Sequence, residues 1–235
     1  MPARLAPLVL LGTLWAGTGA VAQEIVSARL IAPTERYDHG VLGDAVEWGG
    51  LEIGLRDGQR LRFTLPETRV FEDVTARLGD FDGDGQPEVM VVETEIARGA
   101  ALAIYDAKGR RAATPPIGQT HRWLAPAGWG DFDGDGRIEI AYIDRPHLAR
   151  ELVFLRLEAG RLTEVSRSAG YTNHRIGMDF IAGGSRDCGD GAELVLADAG
   201  WQNVLTLRLG PKGPEVTQSR PLRQLRDFDR ARTCP

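Results

Sequence analysis

Two stretches of this chain gather carboxylates at a fixed spacing. Gly79-Asp80-Phe81-Asp82-Gly83-Asp84-Gly85-Gln86-Pro87-Glu88-Val89 recurs 51 positions later as Gly130-Asp131-Phe132-Asp133-Gly134-Asp135-Gly136-Arg137-Ile138-Glu139-Ile140. Carboxylates at loop positions one, three, five and nine, with a main-chain carbonyl at position seven, bring hard oxygens toward one point. Four such groups at close range repel one another unless a cation sits among them. Calcium takes six to eight oxygens at about 2.3–2.6 Å and tolerates irregular geometry, whereas magnesium prefers to keep its waters. The pattern therefore points to two calcium sites.

The DxDxDG opening is shared with the EF-hand, but that alternative fails here. An EF-hand needs a bidentate Glu at position twelve, where this chain has Val91 and Tyr142, and it needs a helix on each side. The loops lead instead into Glu88-Val89-Met90-Val91-Val92 and Ile138-Glu139-Ile140-Ala141-Tyr142-Ile143, short β-branched runs that read as buried strands. A degraded third copy runs Asp187-Cys188-Gly189-Asp190-Gly191-Ala192-Glu193-Leu194. Its carboxylates arrive early relative to the intact loops, so it is expected to hold no metal.

The sequence Gly-Asp-Phe-Asp-Gly-Asp-Gly, followed by x-x-Glu and an apolar strand, resembles the FG-GAP/VCBS repeat family. That family includes the calcium-binding blades of integrin α-subunit β-propellers and exported bacterial repeat proteins. The resemblance implies calcium in a loop between blade strands, as a structural ion. The implied ligands are Asp80, Asp82, Asp84, the Gln86 carbonyl and Glu88 in one loop, and Asp131, Asp133, Asp135, the Arg137 carbonyl and Glu139 in the other. Two departures from the family pattern stand out. Position nine is Glu in both copies where the family has Asp, and the terminal Gly-Ala-Pro element is absent.

The elements that must position these loops are strands. Leu51, Ile53 and Leu55 alternate with polar or small residues, turn at Asp57-Gly58, and alternate again through Leu61, Phe63 and Leu65, which is a hairpin by period and turn chemistry. Further hairpins are expected around Lys108-Gly109, Ala159-Gly160 and Pro211-Lys212-Gly213. Helical periodicity never persists for three turns. The chain therefore reads as all-β, in modules at about 24–69, 70–120, 121–170 and 171–218 with a tail at 219–235. Modules near fifty residues suit propeller blades. The expected fold is one small β-propeller domain over 23–235, of four to five blades and possibly incomplete, closed by the N-terminal strand Glu24 to Leu30.

Residues 1–22 read as a cleaved signal peptide. Arg4 precedes an apolar run from Leu5 to Trp15, too short to span a bilayer, and Ala20-Val21-Ala22 supplies the small residues of a cleavage site. The mature chain is thus expected to be exported, periplasmic or extracellular, with no membrane insertion. In an oxidising compartment the only two cysteines, Cys188 and Cys234, are expected to bridge. The formal charge is -5, from 28 Lys+Arg against 33 Asp+Glu, which excludes the cationic field that nucleic-acid binding requires.

No nucleophile elbow, HExxH helix, P-loop or dinucleotide fingerprint is present, so no catalytic residue is assigned. His121 and His174 precede the loop regions of their modules and are expected to bind loop carbonyls. Trp48, Trp123, Trp129 and Trp201 recur near strand or loop boundaries of the modules, which favours packing between blades over a sugar platform. The loop carrying His174, Arg175 and Asp179 is the candidate for contact with a ligand. The functional expectation is an exported calcium-binding module of the cell envelope that binds a protein or glycan, or is structural. The alternative is a polysaccharide-acting enzyme on a propeller scaffold, and a third is a subunit completed by a partner.

Overall fold

The computed structural model describes residues 24–234, so the signal peptide expected at 1–22 lies outside the described residues. The first module supplies β1 (Ile25–Thr34), β2 (Glu47–Leu55) and β3 (Arg60–Thr64). The second supplies β4 (Arg69–Phe71), β5 (Arg77–Gly79), β6 (Glu88–Glu95), β7 (Gly99–Asp106) and β8 (Gly109–Ala113). The third is β9 (Leu124–Gly130), β10 (Glu139–Asp144), β11 (Glu151–Glu158) and β12 (Arg161–Ala169). The fourth is β13 (Tyr171–Thr172), β14 (Gly184–Asp187), β15 (Ala192–Asp198), β16 (Asn203–Gly210) and β17 (Gly213–Pro221), followed by the short α1 (Arg226–Arg232), the one α-helix among the described residues.

The fold is all-β, as the strand periods and turn residues require. Each later module forms sequential antiparallel strands, with β9 to β12 in one sheet and β14 to β17, joined by β13, in another. Modules one and two share an eight-stranded sheet because the three-residue β4 pairs with both β2 and β6. The expectation for the N-terminal strand is corrected. β1 pairs with β2, with Ile31 opposite Gly50, and among the described residues no strand pairing joins module four to module one. The two ends meet through loops instead, where the Gly177 amide donates to the Val41 carbonyl at 3.1 Å.

Strand alternation explains how the sheets stack. On β6, Met90 and Val92 face the core shared with module three, while Val89 and Val91 face the core shared with module one. On β10, Ile140 and Tyr142 join the first of these cores, and Ala141 and Ile143 join a third core with Leu194, Leu196 and Leu207 of module four. Sheets buried on both faces need apolar residues at successive positions, which is why these strands read as unbroken apolar runs.

The outer faces of the stack are closed differently. On β2, Glu52 is covered by Arg29, Arg60 and Arg62 at 2.8, 3.2 and 2.8 Å. On the fourth module, Phe228 and Ala231 of α1 cover Val195, Ala197 and Val204. The Cys188–Cys234 disulfide ties the end of α1 to the third loop, with Cα atoms 5.4 Å apart.

Trp123, Trp129 and Trp201 pack against neighbouring elements. Trp129 meets Phe81 edge to face at 5.3 Å across modules two and three, and Trp123 is buried with its indole N–H on the Glu72 carbonyl at 2.8 Å. Trp201 lies edge to face against Phe228 of α1.

Candidate metal centre

Both intact acidic loops connect consecutive antiparallel strands, β5 to β6 in module two and β9 to β10 in module three. Glu88 lies opposite Gly79 and Glu139 opposite Gly130, so position nine begins the inner strand and its side chain is buried beneath the loop. The turns require left-handed backbone at Gly83 and Gly85 (φ 76° and 83°) and at Gly134 and Gly136 (φ 77° and 85°).

The first Asp of each loop organises that turn. Asp80 accepts the Gly83 and Gly85 amides at 2.8 and 2.9 Å, and Asp131 accepts those of Gly134 and Gly136 at 2.7 and 2.9 Å. Phe81 and Phe132 anchor the loops in the cores, and their amides donate to Glu88 and Glu139 at 3.0 and 2.9 Å. The aspartates thereby hold the backbone, and the buried glutamates are fixed from below.

Carboxylate oxygens of Asp80, Asp82 and Glu88 all lie within 4.8 Å of one another, and so do those of Asp131, Asp133 and Glu139. The fifth-position residues Asp84 and Asp135 stand outside these triads; each accepts the amide two residues on, at 2.8 and 3.0 Å. The Arg137 side chain folds back on Asp135 at 2.7 Å, which holds the Asp135 carboxyl down at about 2. Burial pushes the Glu88 carboxyl up to about 7 and raises Glu139 as well.

An arginine enters each triad from outside the motif. Arg111 of β8 contacts Asp82 and reaches Glu88 at 2.5 Å. Arg156 of β11 reaches Glu139 at 2.6 Å through Nε, and Asp133 and Asp135 at 2.7 and 2.9 Å through Nη2. Motif reading did not find these two groups. Arg156 left one trace in the sequence, a charge inside the apolar run Leu152 to Leu157.

Three carboxylates at this separation, on a loop pre-turned by its own aspartates, form an oxygen donor set of the kind calcium takes. Each set already attracts a cation, which here is a guanidinium. The third loop differs. Glu193 pairs opposite Arg186, which donates to it at 3.0 and 2.7 Å, and Cys188 of the loop is held by the disulfide. The loop from Asp187 to Glu193 is two residues shorter than its counterparts, and it contributes no carboxylate triad.

The candidate ligand loop is dispersed. His174 is buried, its Nε2 bonded to the Met178 carbonyl at 2.9 Å and its Nδ1 to His147 Nε2 at 2.9 Å, so both ring nitrogens are engaged. The carbonyl contact is the role read for it in the sequence. Arg175 lies over the Trp201 ring at 4.5 Å, and Asp179 is exposed. The structure does not bring these three residues to one point.

Stacked antiparallel units, two of them carrying an acidic Gly-Asp loop, define an all-β repeat protein with paired candidate cation loops. Comparison with known families places the repeat: residues 75–142, which span both intact loops, match the FG-GAP-like repeat, and the chain carries that repeat. No curated protein matches the chain.

Proposed function

We propose that this chain is an exported FG-GAP repeat protein whose two acidic loops bind calcium, and that it serves as a binding or structural module of the cell envelope. In this reading residues 23–235 form one incomplete, propeller-like domain. The observation that carries it is the pair of carboxylate triads, Asp80/Asp82/Glu88 and Asp131/Asp133/Glu139, at equivalent places in successive units. Asp84, Asp135 and the carbonyls of Gln86 and Arg137 would complete the two sets.

The ion is structural here. Protein oxygens would surround it, which leaves little open coordination for a substrate. Its role is to replace a guanidinium as the cation of each loop and so tie together the two strands that flank the loop. The disulfide supports export, because such bridges persist in oxidising compartments. No helix among the described residues is long and apolar enough to cross a membrane.

Thermal melts with calcium and with EDTA test the reading. Free calcium at a hundredfold excess over Kd should add about 2.7 kcal/mol per site. Titration calorimetry should give two calcium ions per chain, and one in Asp131→Asn. An unchanged melting temperature would remove calcium from the account. N-terminal sequencing of protein from the exported fraction should begin at Gln23.

A further inference from the structure

All four histidines of the chain converge at the end of the stack opposite the acidic loops. β9 runs from Leu124 to its acidic loop after Gly130, and β10 runs back from Glu139 to Asp144, so the connections holding His121 and His147 lie together at the far end. His39 arrives from the β1–β2 connection, and His174 from the segment after β13. The His39 and His121 rings are 5.2 Å apart, those of His147 and His174 are 5.1 Å apart, and Trp123 meets His174 at 4.8 Å. Between them is a cavity of about 320 Å³, lined by His39, His121, Arg122, Trp123, His147 and Ile176, among others.

Two of the six non-glycine residues with left-handed backbone among the described residues lie here. His121 and Arg145, which both border the cavity, adopt left-handed backbone with φ of 54° and 47°. Non-glycine residues hold that region only where the surroundings impose it, and such positions gather at ligand sites. Two exposed apolar side chains stand at the rim, Leu148 at 62% and Ile176 at 73% of full exposure.

The charges around the cavity balance, with one exception. His39 is held by the buried Glu72, and His121 by Asp38 at 3.0 Å. Arg145 is matched by Asp144 at 2.9 and 3.1 Å. The Met178 carbonyl can only accept, so His174 Nε2 carries a proton, and burial lowers the pKa of both His174 and His147, the latter to about 4. Half-buried Arg122 has a single polar partner, the His121 carbonyl at 2.9 Å, and no carboxylate among the described residues. A guanidinium offers five donors in a planar fork, and carboxylates match that fork. Arg122 is the one unmatched charge at the cavity, so the site can neutralise a single negative charge on a ligand.

We propose that this cavity binds an organic monocarboxylate with a small apolar or aromatic body, its carboxylate on Arg122 and its body against Trp123, Leu148 and Ile176. The volume lies at the lower end of ligand pockets, which suits a molecule of roughly ten to fifteen heavy atoms. This site is separate from the acidic loops and does not depend on calcium.

Titration calorimetry on the mature chain would compare phenylacetate, its neutral analogue 2-phenylethanol and inorganic phosphate, each with calcium and with EDTA. Phenylacetate should bind at least about tenfold more tightly than the alcohol, the margin of one charge-assisted contact, and phosphate should not compete. Arg122→Gln should erase the preference for the acid while leaving binding of the alcohol unchanged. Ile176→Ser, at an exposed position that leaves the fold intact, should weaken both organic probes. Equal binding of acid and alcohol, phosphate binding as tight as phenylacetate, or no phenylacetate binding at millimolar concentration would overturn the proposal. Undiminished phenylacetate binding by Arg122→Gln would do so as well.

Discussion

Replacing Arg156 by Gln should destabilise the calcium-free protein and strengthen its hold on calcium. The Arg156 side chain is 9% exposed and supplies the one guanidinium shared by Glu139, Asp133 and Asp135, of which Glu139 is fully buried. Removing one partner of a buried ion pair costs about 3–5 kcal/mol because the other charge stays behind. Asp133 and Asp135 are 28% and 33% exposed and can turn toward water, which puts the cost at the lower end, about 3 kcal/mol. For a chain of this size that lowers Tm by about 6–12 °C in EDTA. With calcium in the loop the guanidinium is no longer needed, so the deficit should shrink. The same 3 kcal/mol then appears as calcium binding tightened by up to about a hundredfold. Calorimetric melts in EDTA and in calcium, with calcium titrations of both proteins, measure the two sides of this linkage. An equal loss of Tm in both conditions, with unchanged calcium affinity, would refute the idea that arginine and calcium compete for one place.

Glu47 is buried with Oε2 unpartnered, and burial, reinforced by the Glu72 charge, pushes its carboxyl up to about 9. A raised acid binds its proton more firmly in the folded state, so its contribution is fully present below about pH 4.5 and is lost as pH climbs toward 9. Urea titrations should show stability falling across that window, and Glu47→Gln should flatten the fall by at most about 3 kcal/mol at pH 7. Gly79→Ala would place a methyl 2.7 Å from Trp129 Nε1 and 2.9 Å from Phe81 Cε1, forcing modules two and three apart. Chemical denaturation should register about 1–3 kcal/mol for that overpacking. Cys234→Ser should release α1 from the fourth module, at a cost of no more than about 4 kcal/mol for a 46-residue closure. Limited trypsin digestion would then cut within Arg226–Arg232 in the variant before any cut in the parent, and equal resistance would contradict it.

The parts of this fold that could be read in the sequence are those written locally. The acidic loops repeat nearly residue for residue, and hairpins such as β2–β3 and β7–β8 carry their own turn residues at Asp57-Gly58 and Lys108-Gly109. The features that escaped depend on contacts distant in sequence. β4 is three residues long and shows no period, yet it fuses modules one and two into one sheet. The two-turn α1 gains its stability from Phe228 and Ala231 against the sheet and from the disulfide, and neither source leaves a helical period. Within the site, the loop aspartates and glutamates were visible by spacing. Arg111 and Arg156 were not, because each reaches its triad from another strand, 23 and 17 residues beyond the glutamate it bonds. The gathering of four histidines likewise comes from which strand ends share a side of the stack.

The two covered ends have a consequence for how such a protein changes length. A closed ring accepts only the number of units that completes its circle. This chain instead terminates in a stopper at each side, arginines over Glu52 and a tethered helix over Val195 and Val204. Duplicating one interior unit would add one more interface of the kind between β6 and β10 and leave both stoppers in place, but it would part the loop contacts that reach across the stack, Gly177 on Val41 and His39 against His121. Tandem duplication would therefore lengthen this architecture only by giving up those contacts and the cavity they enclose, whereas loss of α1 would uncover an adhesive apolar sheet face.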